Sequence, residues 1–382
     1  MKSLFLFSLL VLLVSCKNQI INKHVETIKA EAAGDQSLFF SEFVKEIEII
    51  PLDNKDEAYL ADAPELIVYN SEYYIYNRHF MGKNSTPSRN ILLKFDSKGK
   101  LLGYIGDDGV GLGKYRYVAN FCISEDTIYV FTSPDFVINK FKLTGEFIEK
   151  KTIPYKYFMQ ALKFGDEYLL YLNRNSGVRD ERLVVMNEQG QESSAFLPTQ
   201  IKVCPYFENN CLTVGPDNEV QIREFHNDTI YTYSSKKGVV PSLKIDFAEK
   251  FIPVKEYLKS KGSMENLSKM LENPYTCISK YFENNKYFFV EMLDNRAFNK
   301  YDYLYAIKDK SSGIIRWFNF EKENRFLNNS FHFFDSDKLY CLAFPTDFNS
   351  ITDNVKKLIK NPEVLDKITP TDNRVLLIIT MK

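Results

Sequence analysis

Apolar and polar positions alternate in short runs along most of this chain, and the runs come in pairs joined by a glycine turn. In NILLKFDSKGKLLGYIG an alternating segment meets a turn at Asp96-Ser97-Lys98-Gly99, and a second alternating segment leaves it. The same plan surrounds Gly145 in VINKFKLTGEFIEKKTI, Gly190 in RLVVMNEQGQESSAFL, Gly238 in TIYTYSSKKGVVPSLKIDF and Gly313 in YLYAIKDKSSGIIRWFNF. Successive glycines stand 46, 45, 48 and 75 residues apart, the last interval carrying an insertion. Alternation of period two bounded by turn residues predicts half-buried strands. The near-constant interval makes each hairpin one part of a repeated unit.

Ahead of each hairpin lie further apolar runs, such as YYIYN, EYLLYL, KYFFVEM and KLYCLAF. The tetrad Asp126-Thr127-Ile128-Tyr129 recurs as Asp228-Thr229-Ile230-Tyr231, without fixing whether both copies hold the same strand of their units. Four strands in roughly 45 to 50 residues is the size of a propeller blade. Five hairpin glycines mark five blades, and a sixth is assembled from the chain ends. FHFFDSD, KLYCLAF and RVLLIITMK supply three strands without an outer partner, and VKEIEIIPLD supplies one without a hairpin. Pairing Glu46 to Leu52 with Val375 to Met381 closes the ring and removes an exposed sheet edge. The expected fold is therefore all-β: a six-bladed β-propeller of four-stranded antiparallel blades, its N- and C-terminal strands closing the last blade. Two lysine-rich stretches, Glu249 to Asn273 and Thr352 to Ile368, have apolar residues at helical spacing and predict short inserted helices with solvated faces.

Composition supports this reading. The chain has 382 residues, 45% of them hydrophobic, with 31 Phe and 24 Tyr against one Trp. Such a chain buries a large core, and its aromatics suit pleated surfaces. Lys and Arg number 49 against 50 Asp and Glu, so no net field draws in nucleic acid.

The N-terminus adds a location. MKSLFLFSLLVLLVSC joins an early Lys2 to an apolar run too short to span a bilayer, the form of a secretory signal. Its end, Leu13-Val14-Ser15-Cys16, resembles the bacterial lipobox, in which the cysteine is lipidated and becomes the new N-terminus. Residues 1–16 are thus read as a lipoprotein signal peptide, 17–36 as a polar tether and 37–382 as the propeller. Membrane attachment runs through Cys16, and Lys17 in the following position favours the outer membrane, facing the periplasm or else the cell surface. Of the other cysteines, Cys122, Cys204, Cys211, Cys277 and Cys341, only Cys204 and Cys211 are near enough for a local bridge, and two buried thiols are an equal alternative.

The glycine-rich stretch IGDDGVGLGKYRYV, Ile105 to Val118, invites a phosphate-binding reading. A Walker loop needs glycine where Asp108 stands and Ser or Thr where Tyr115 stands, and a dinucleotide fingerprint needs glycine at Lys114. Asp107 and Asp108 would repel a phosphate as well. The stretch falls between the last strand of one unit and the first of the next, so it reads as an inter-blade connection with glycines where positive φ is required.

Three segments resemble the bacterial six-bladed β-propeller lipoproteins: FFSEFVKEIEIIPLD, FDSKGKLLGYIGDDGVGLGKY and NDTIYTYSSKKGVVPSLKIDFAEKFIP. The resemblance spans nearly the whole mature chain. The middle segment departs from the family's Gly-Pro-Gly-Glu-Tyr type run, with Leu112 in place of Pro and Lys114 in place of Glu. What the resemblance implies is the fold and export; propellers host enzymes, receptors and scaffolds alike.

Candidate chemistry is sparse. His24, His79, His226 and His332 show no metal-ligand spacing, no Gly-x-Ser-x-Gly elbow or calcium loop occurs, and neither a metal nor a cofactor is expected. Asn-Arg ends a strand three times, at Asn77-Arg78, Asn173-Arg174 and Asn295-Arg296. If these loops share a face with the glycine-rich connection, Arg78, Arg174 and Arg296 converge with Tyr115 and Arg116. Arginine forks beside aromatic rings suit carboxylated or phosphorylated sugars. The expected function is a membrane-anchored binding or interaction module, for glycans, peptides or a protein of an uptake or sensing system. The alternative is a polysaccharide lyase or hydrolase with its site at the propeller axis, which a tight cluster of Arg, Tyr, His and carboxylate groups there would favour.

Overall fold

The structure is a computed structural model of the chain. It describes residues 25–31, 41–60, 64–77, 91–132, 137–155, 158–172, 180–198, 211–224, 227–247, 275–294, 303–319 and 331–382.

Six four-stranded antiparallel units form the molecule, one of them extended by a fifth strand. The first strand among the described residues is β1 (Glu26–Lys29), followed by β2 (Val44–Pro51). Blade one holds β3 (Glu65–Tyr69), β4 (Glu72–Asn77), β5 (Ile91–Phe95) and β6 (Leu101–Ile105). The short strands β7 (Asp107–Asp108) and β8 (Lys114–Tyr115) lie in the connection that follows. Blade two holds β9 (Val118–Ser124), β10 (Thr127–Thr132), β11 (Val137–Lys142) and β12 (Phe147–Thr152). Blade three holds β13 (Phe158–Phe164), β14 (Glu167–Leu172), β15 (Glu181–Asn187) and β16 (Glu192–Pro198). Blade four holds β17 (Leu212–Val214), β18 (Val220–Arg223), β19 (Thr229–Ser234) and β20 (Gly238–Asp246). Blade five holds β21 (Tyr275–Glu283), β22 (Tyr287–Asp294), β23 (Tyr303–Asp309) and β24 (Ile315–Phe318). Blade six holds β25 (Phe331–Asp335), β26 (Lys338–Ala343) and β27 (Val375–Met381), with β2 as its outermost strand.

The expected closure is present. Ile49 pairs with Leu377 in the antiparallel β2–β27 ladder, which runs from Val44↔Met381 to Pro51↔Val375. The innermost strands neighbour one another around the ring, and β25 of blade six meets β3 of blade one. Each blade is too thin to bury its two faces alone, so the core lies between blades. Ile50, Leu376 and Leu342 of blade six pack with Ile75, Leu93 and Phe95 of blade one, and Tyr74 and Leu92 of blade one with Ile128 and Phe141 of blade two.

The repeated glycines all sit at the turn between the third and fourth strands of their blades, with φ from +67° at Gly238 to +89° at Gly145. At Gly99 the turn is held by its own N–H donating to Asp96 O at 3.0 Å and by the Asp96 carboxylate accepting from the Lys98 and Lys100 amides. A Cβ there would lie 2.3 Å from the Pro51 carbonyl oxygen of blade six, so the glycine serves the inter-blade contact as well as the turn. The recurring Asp-Thr-Ile-Tyr tetrads, in contrast, occupy different places: Thr127 opens the second strand of blade two and Thr229 the third strand of blade four. The tetrad reports a turn entering a buried strand, not a position in the repeat.

One feature lies outside the sequence reading. Within the stretch read as a tether, Glu26–Lys29 is a strand, paired in parallel with β20, and Ile28 is buried against blades four and five. Its Glu26 forms an ion pair with Lys308 of blade five, and Glu42 forms another with Arg316 at 2.9 Å. The N-terminal region therefore contacts blade four through β1, blade five through two ion pairs and blade six through β2. Four residues with one buried side chain are too short a run to stand out in a polar stretch, and parallel pairing leaves no hairpin signal.

The insertion before β27 contains the expected short helix, Asp353–Lys356, between 3₁₀ turns at Pro345–Ser350 and Pro362–Lys367. It covers the free edge of β2: Ile47 donates to Leu358 O and accepts from Lys360 N, both at 2.8 Å, while the Asn361 amide brackets the Ile49 backbone. An edge that would otherwise present unpaired donors and acceptors is thereby satisfied. The second predicted helical stretch, Glu249 to Asn273, lies outside the described residues.

Candidate functional site

The glycine-rich connection folds on itself and fills the wedge between blades one and two. β7 and β8 pair in parallel, and Lys114 Nζ lies 3.1 Å from Asp107 Oδ2, so the aspartate that seemed set to repel a phosphate holds this lysine. Tyr115 turns inward. Its hydroxyl donates to Ile105 O at 2.5 Å and accepts from Leu92 N at 2.9 Å, and its ring meets Phe141 edge-on. A Cβ on Gly106 would come within 2.5 Å of that ring, which explains the glycine.

Tyr115 is 2% exposed and its phenol is fully used, so it offers no ring to a ligand, and its place among the candidate contacts is corrected. Tyr117, two residues on, is 65% exposed at φ +51°, a strained conformation for an aromatic residue. The two stand two positions apart, so strand alternation does not separate them; the packing of the wedge does. Replacing Tyr115 with Phe strands the Leu92 N–H and the Ile105 C=O in a buried wedge. The expected result is a loss of about 1–3 kcal/mol, read from the denaturation midpoint at unchanged m-value.

Arg116 is exposed beside Tyr115. Arg78, Arg174 and Arg296 lie outside the described residues, as does Cys16. The strands that lead to the three arginines end on one side of the ring. β4, β14 and β22 are the second strands of blades one, three and five, and each ends opposite the beginning of its blade's innermost strand, as the pairs Glu65↔Tyr76, Phe158↔Leu172 and Tyr275↔Asp294 show. This side is called the upper face below.

Towards the axis, the blades are latched to one another by polar side chains reaching neighbouring backbone. The Asn120 amide of blade two reads both the N–H and the C=O of Ala161 in blade three, at 2.8 and 2.7 Å. Gln160 of blade three does the same to Leu212 of blade four, at 2.8 and 2.9 Å. Arg223 of blade four donates to Ile278 O of blade five at 2.6 Å, and Lys280 of blade five donates to Phe331 O of blade six. Glu291 accepts from Ser279 Oγ at 2.7 Å and from Phe331 N at 3.3 Å. Inner strands cannot form ladders across the axis, and side-chain amides and charges take the place of a backbone partner.

These latches bring ionisable groups from four blades within electrostatic reach: Glu65 of blade one, Arg223 of blade four, Lys280 and Glu291 of blade five, and His332, Cys341 and Arg374 of blade six. Burial lowers the Lys280 pKa below the ordinary lysine range, against the opposing pull of Glu291. Burial, reinforced by Lys280 and Arg374, holds His332 well below the usual histidine range. Arg374 also lies over the half-exposed Phe344 ring, its Cζ 3.2 Å from the centroid. None of this cluster except His332 stood out in the sequence, because its members are spread from residue 65 to residue 374 and have no local spacing. His24, His79 and His226 lie outside the described residues, as does Cys204; Cys211 is buried. Burial pushes the Cys122 thiol up to about 12, which removes it as a nucleophile at neutral pH.

Comparison with solved structures agrees with the architecture. An exported protein of unassigned role from Bacteroides fragilis superposes with a TM-score of 0.71 at 15% identity, covering 94% of this chain and 99% of that one. A virginiamycin B lyase from Staphylococcus aureus is more distant, with a TM-score of 0.44 at 11% identity over 88% of this chain and 99% of its own. A protein of unknown function from Bacteroides caccae gives 0.41 at 12% identity, over 73% and 93%. The last two similarities are too low to carry an argument, and the first shows the fold alone. No curated protein matches the chain. No helix among the described residues is long and apolar enough to cross a membrane. One family matches from residue 25 to residue 380, beginning at β1 and ending in β27, and is described as a domain of unknown function, DUF4934. The chain belongs to this DUF4934 family.

Proposed function

We propose that this protein is a lipid-anchored binding module that holds its ligand at the upper face, around the axis. The observation that carries this reading is the convergence there of charged groups from four blades, Glu65, Arg223, Lys280, Glu291 and Arg374, in a ring whose core is mostly apolar. Buried charges are costly and persist where they are paired or used. Around this centre, Arg78, Arg174 and Arg296 follow strands that end at the same face of alternate blades, and Arg116 is exposed on the glycine-rich connection. Such a ring of forks around an axis suits anionic glycans, with an acidic peptide or protein segment as the related partner. Lipidation at Cys16 would hold the protein on the outer membrane, and Cys16→Ala is expected to move it to the soluble fraction.

A glycan array probed with residues 25–382 tests the reading. Acidic glycans are expected to be retained, and the triple variant Arg78→Glu, Arg174→Glu, Arg296→Glu is expected to lose them with an unchanged melting temperature. Wild-type retention by that variant, or an array with no acidic hits, overturns it. The neutral His332 beside Lys280 favours a second reading, an axial lyase or hydrolase. Shortening of a retained polysaccharide during incubation, abolished by His332→Ala, would establish it in place of simple binding.

A further inference from the structure

Four of the six innermost strands share an irregularity. In β9, β13, β21 and β25 the pairing with the second strand slips by one position, leaving Ala119, Met159, Ser279 and His332 respectively as an extra residue, and β21 slips once more at Thr276. A bulge of this kind re-aims a side chain out of the regular pleat, and on an innermost strand the direction left open is the axis. In blades two, three and five the extra residue is uncharged, and the residue after it, Asn120, Gln160 or Lys280, latches the next blade. In blade six the pattern changes. The residue after the bulge is Phe333, packed edge-on with Tyr340, and the extra residue is a histidine.

Among the described residues, the charges that act on His332 have one sign. The two charges that act on it are Lys280, from the adjacent innermost strand, and Arg374, at the start of β27. The other ionisable groups of the cluster are Glu65, Arg223, Glu291, Cys341 and Asp347. Of these, Glu291 is engaged with Ser279 and the Phe331 amide, and Asp347 accepts from the Phe344 amide. No described residue forms a hydrogen bond with the His332 imidazole. A partly buried imidazole without such a partner, flanked by an ammonium and a guanidinium, lacks an acceptor of negative charge.

We propose that His332, turned towards the axis by the bulge in β25, forms with Lys280 and Arg374 the contact for a single oxyanion, the carboxylate of an acidic sugar. This rests on the reading of the upper axis as the ligand end and adds the group that the site recognises. An anion placed against the imidazole opposes the burial and the two cations that keep it unprotonated, so binding draws in a proton and tightens as pH falls from 8 to 6.

Titration calorimetry of the propeller, residues 25–382, with galacturonate, methyl galactoside and inorganic phosphate tests this. Galacturonate is expected to bind, with an enthalpy that depends on the buffer's ionisation heat in the sense of proton uptake, and methyl galactoside is expected not to. Phosphate binding as tightly as galacturonate would assign the site to free oxyanions and overturn the sugar-acid assignment. His332→Gln is expected to weaken galacturonate at least tenfold and to abolish the proton uptake. Imidazole nitrogen shifts of the wild-type protein give a readout that needs no variant: the His332 titration should move upward on adding galacturonate. An unmoved titration, or equal affinity in His332→Gln, overturns the proposal. Failure here with acidic glycans still retained on the array leaves the broader reading standing; failure of both removes it.

Discussion

Ending the chain at Arg374, which removes β27, is expected to leave no folded monomer. β27 is the third strand of blade six, flanked by β26 on one side and β2 on the other, and all seven of its residues are buried. Without it, β2 has no partner in the sheet and the ring opens between blades five and one. Each buried aliphatic side chain contributes about 1.5–3 kcal/mol. The six apolar ones, Thr380 being the seventh residue, together match or exceed the roughly 5–15 kcal/mol that separates a folded domain from its unfolded chain. Gel filtration and near-ultraviolet circular dichroism check the outcome, which should be aggregate without tertiary signal. A point change localises the effect: Leu377→Asp, at a fully buried position opposite Ile49, should cost more than about 4 kcal/mol. Leu102→Asp, on the half-exposed outer strand of blade one, should stay within about 0.5 kcal/mol. A soluble, cooperatively melting truncation would mean that the ring does not need its closure.

The second large effect belongs to Lys280 and Glu291. Both are buried and they stand opposite each other in the β21–β22 ladder, with Lys280 reaching Phe331 O and Glu291 taking the Phe331 amide. One residue of blade six is thus held on both its backbone groups by blade five. Glu291→Leu leaves the ammonium buried without its nearest opposite charge and is expected to destabilise by about 3–5 kcal/mol. Lys280→Met combined with Glu291→Leu removes both charges at similar volume and is expected to recover most of that loss. Chemical denaturation of the two single variants and the double variant gives the coupling directly. Additive losses would show that the two groups act independently, and the latch as described would be wrong.

The parts legible in the chain were those written locally. A glycine at positive φ after Asp96, Lys142 or Asn187 is demanded by the turn itself, so the turns and their spacing could be counted, and the count set the number of blades. The closing pair was legible for a related reason: an apolar strand without a hairpin at one end and three strands without a partner at the other leave one arrangement that satisfies both edges. The β1 strand was not legible, because four residues in parallel pairing carry neither a turn nor a long alternation. The candidate contacts divided along the same line. Tyr115 and Tyr117 look alike in KYRYV, and only the wedge between blades one and two decides which is buried. Lys280, Glu291 and Arg374 carry no spacing that could have marked them.

From the sequence alone follow the strand type, the period, the turn chemistry and the need for the ends to meet, because each is enforced by backbone geometry within a few residues. Tertiary structure alone decided which polar groups share the axis, since a ring juxtaposes residues hundreds of positions apart and gives each a burial and a field that no neighbour in the chain supplies.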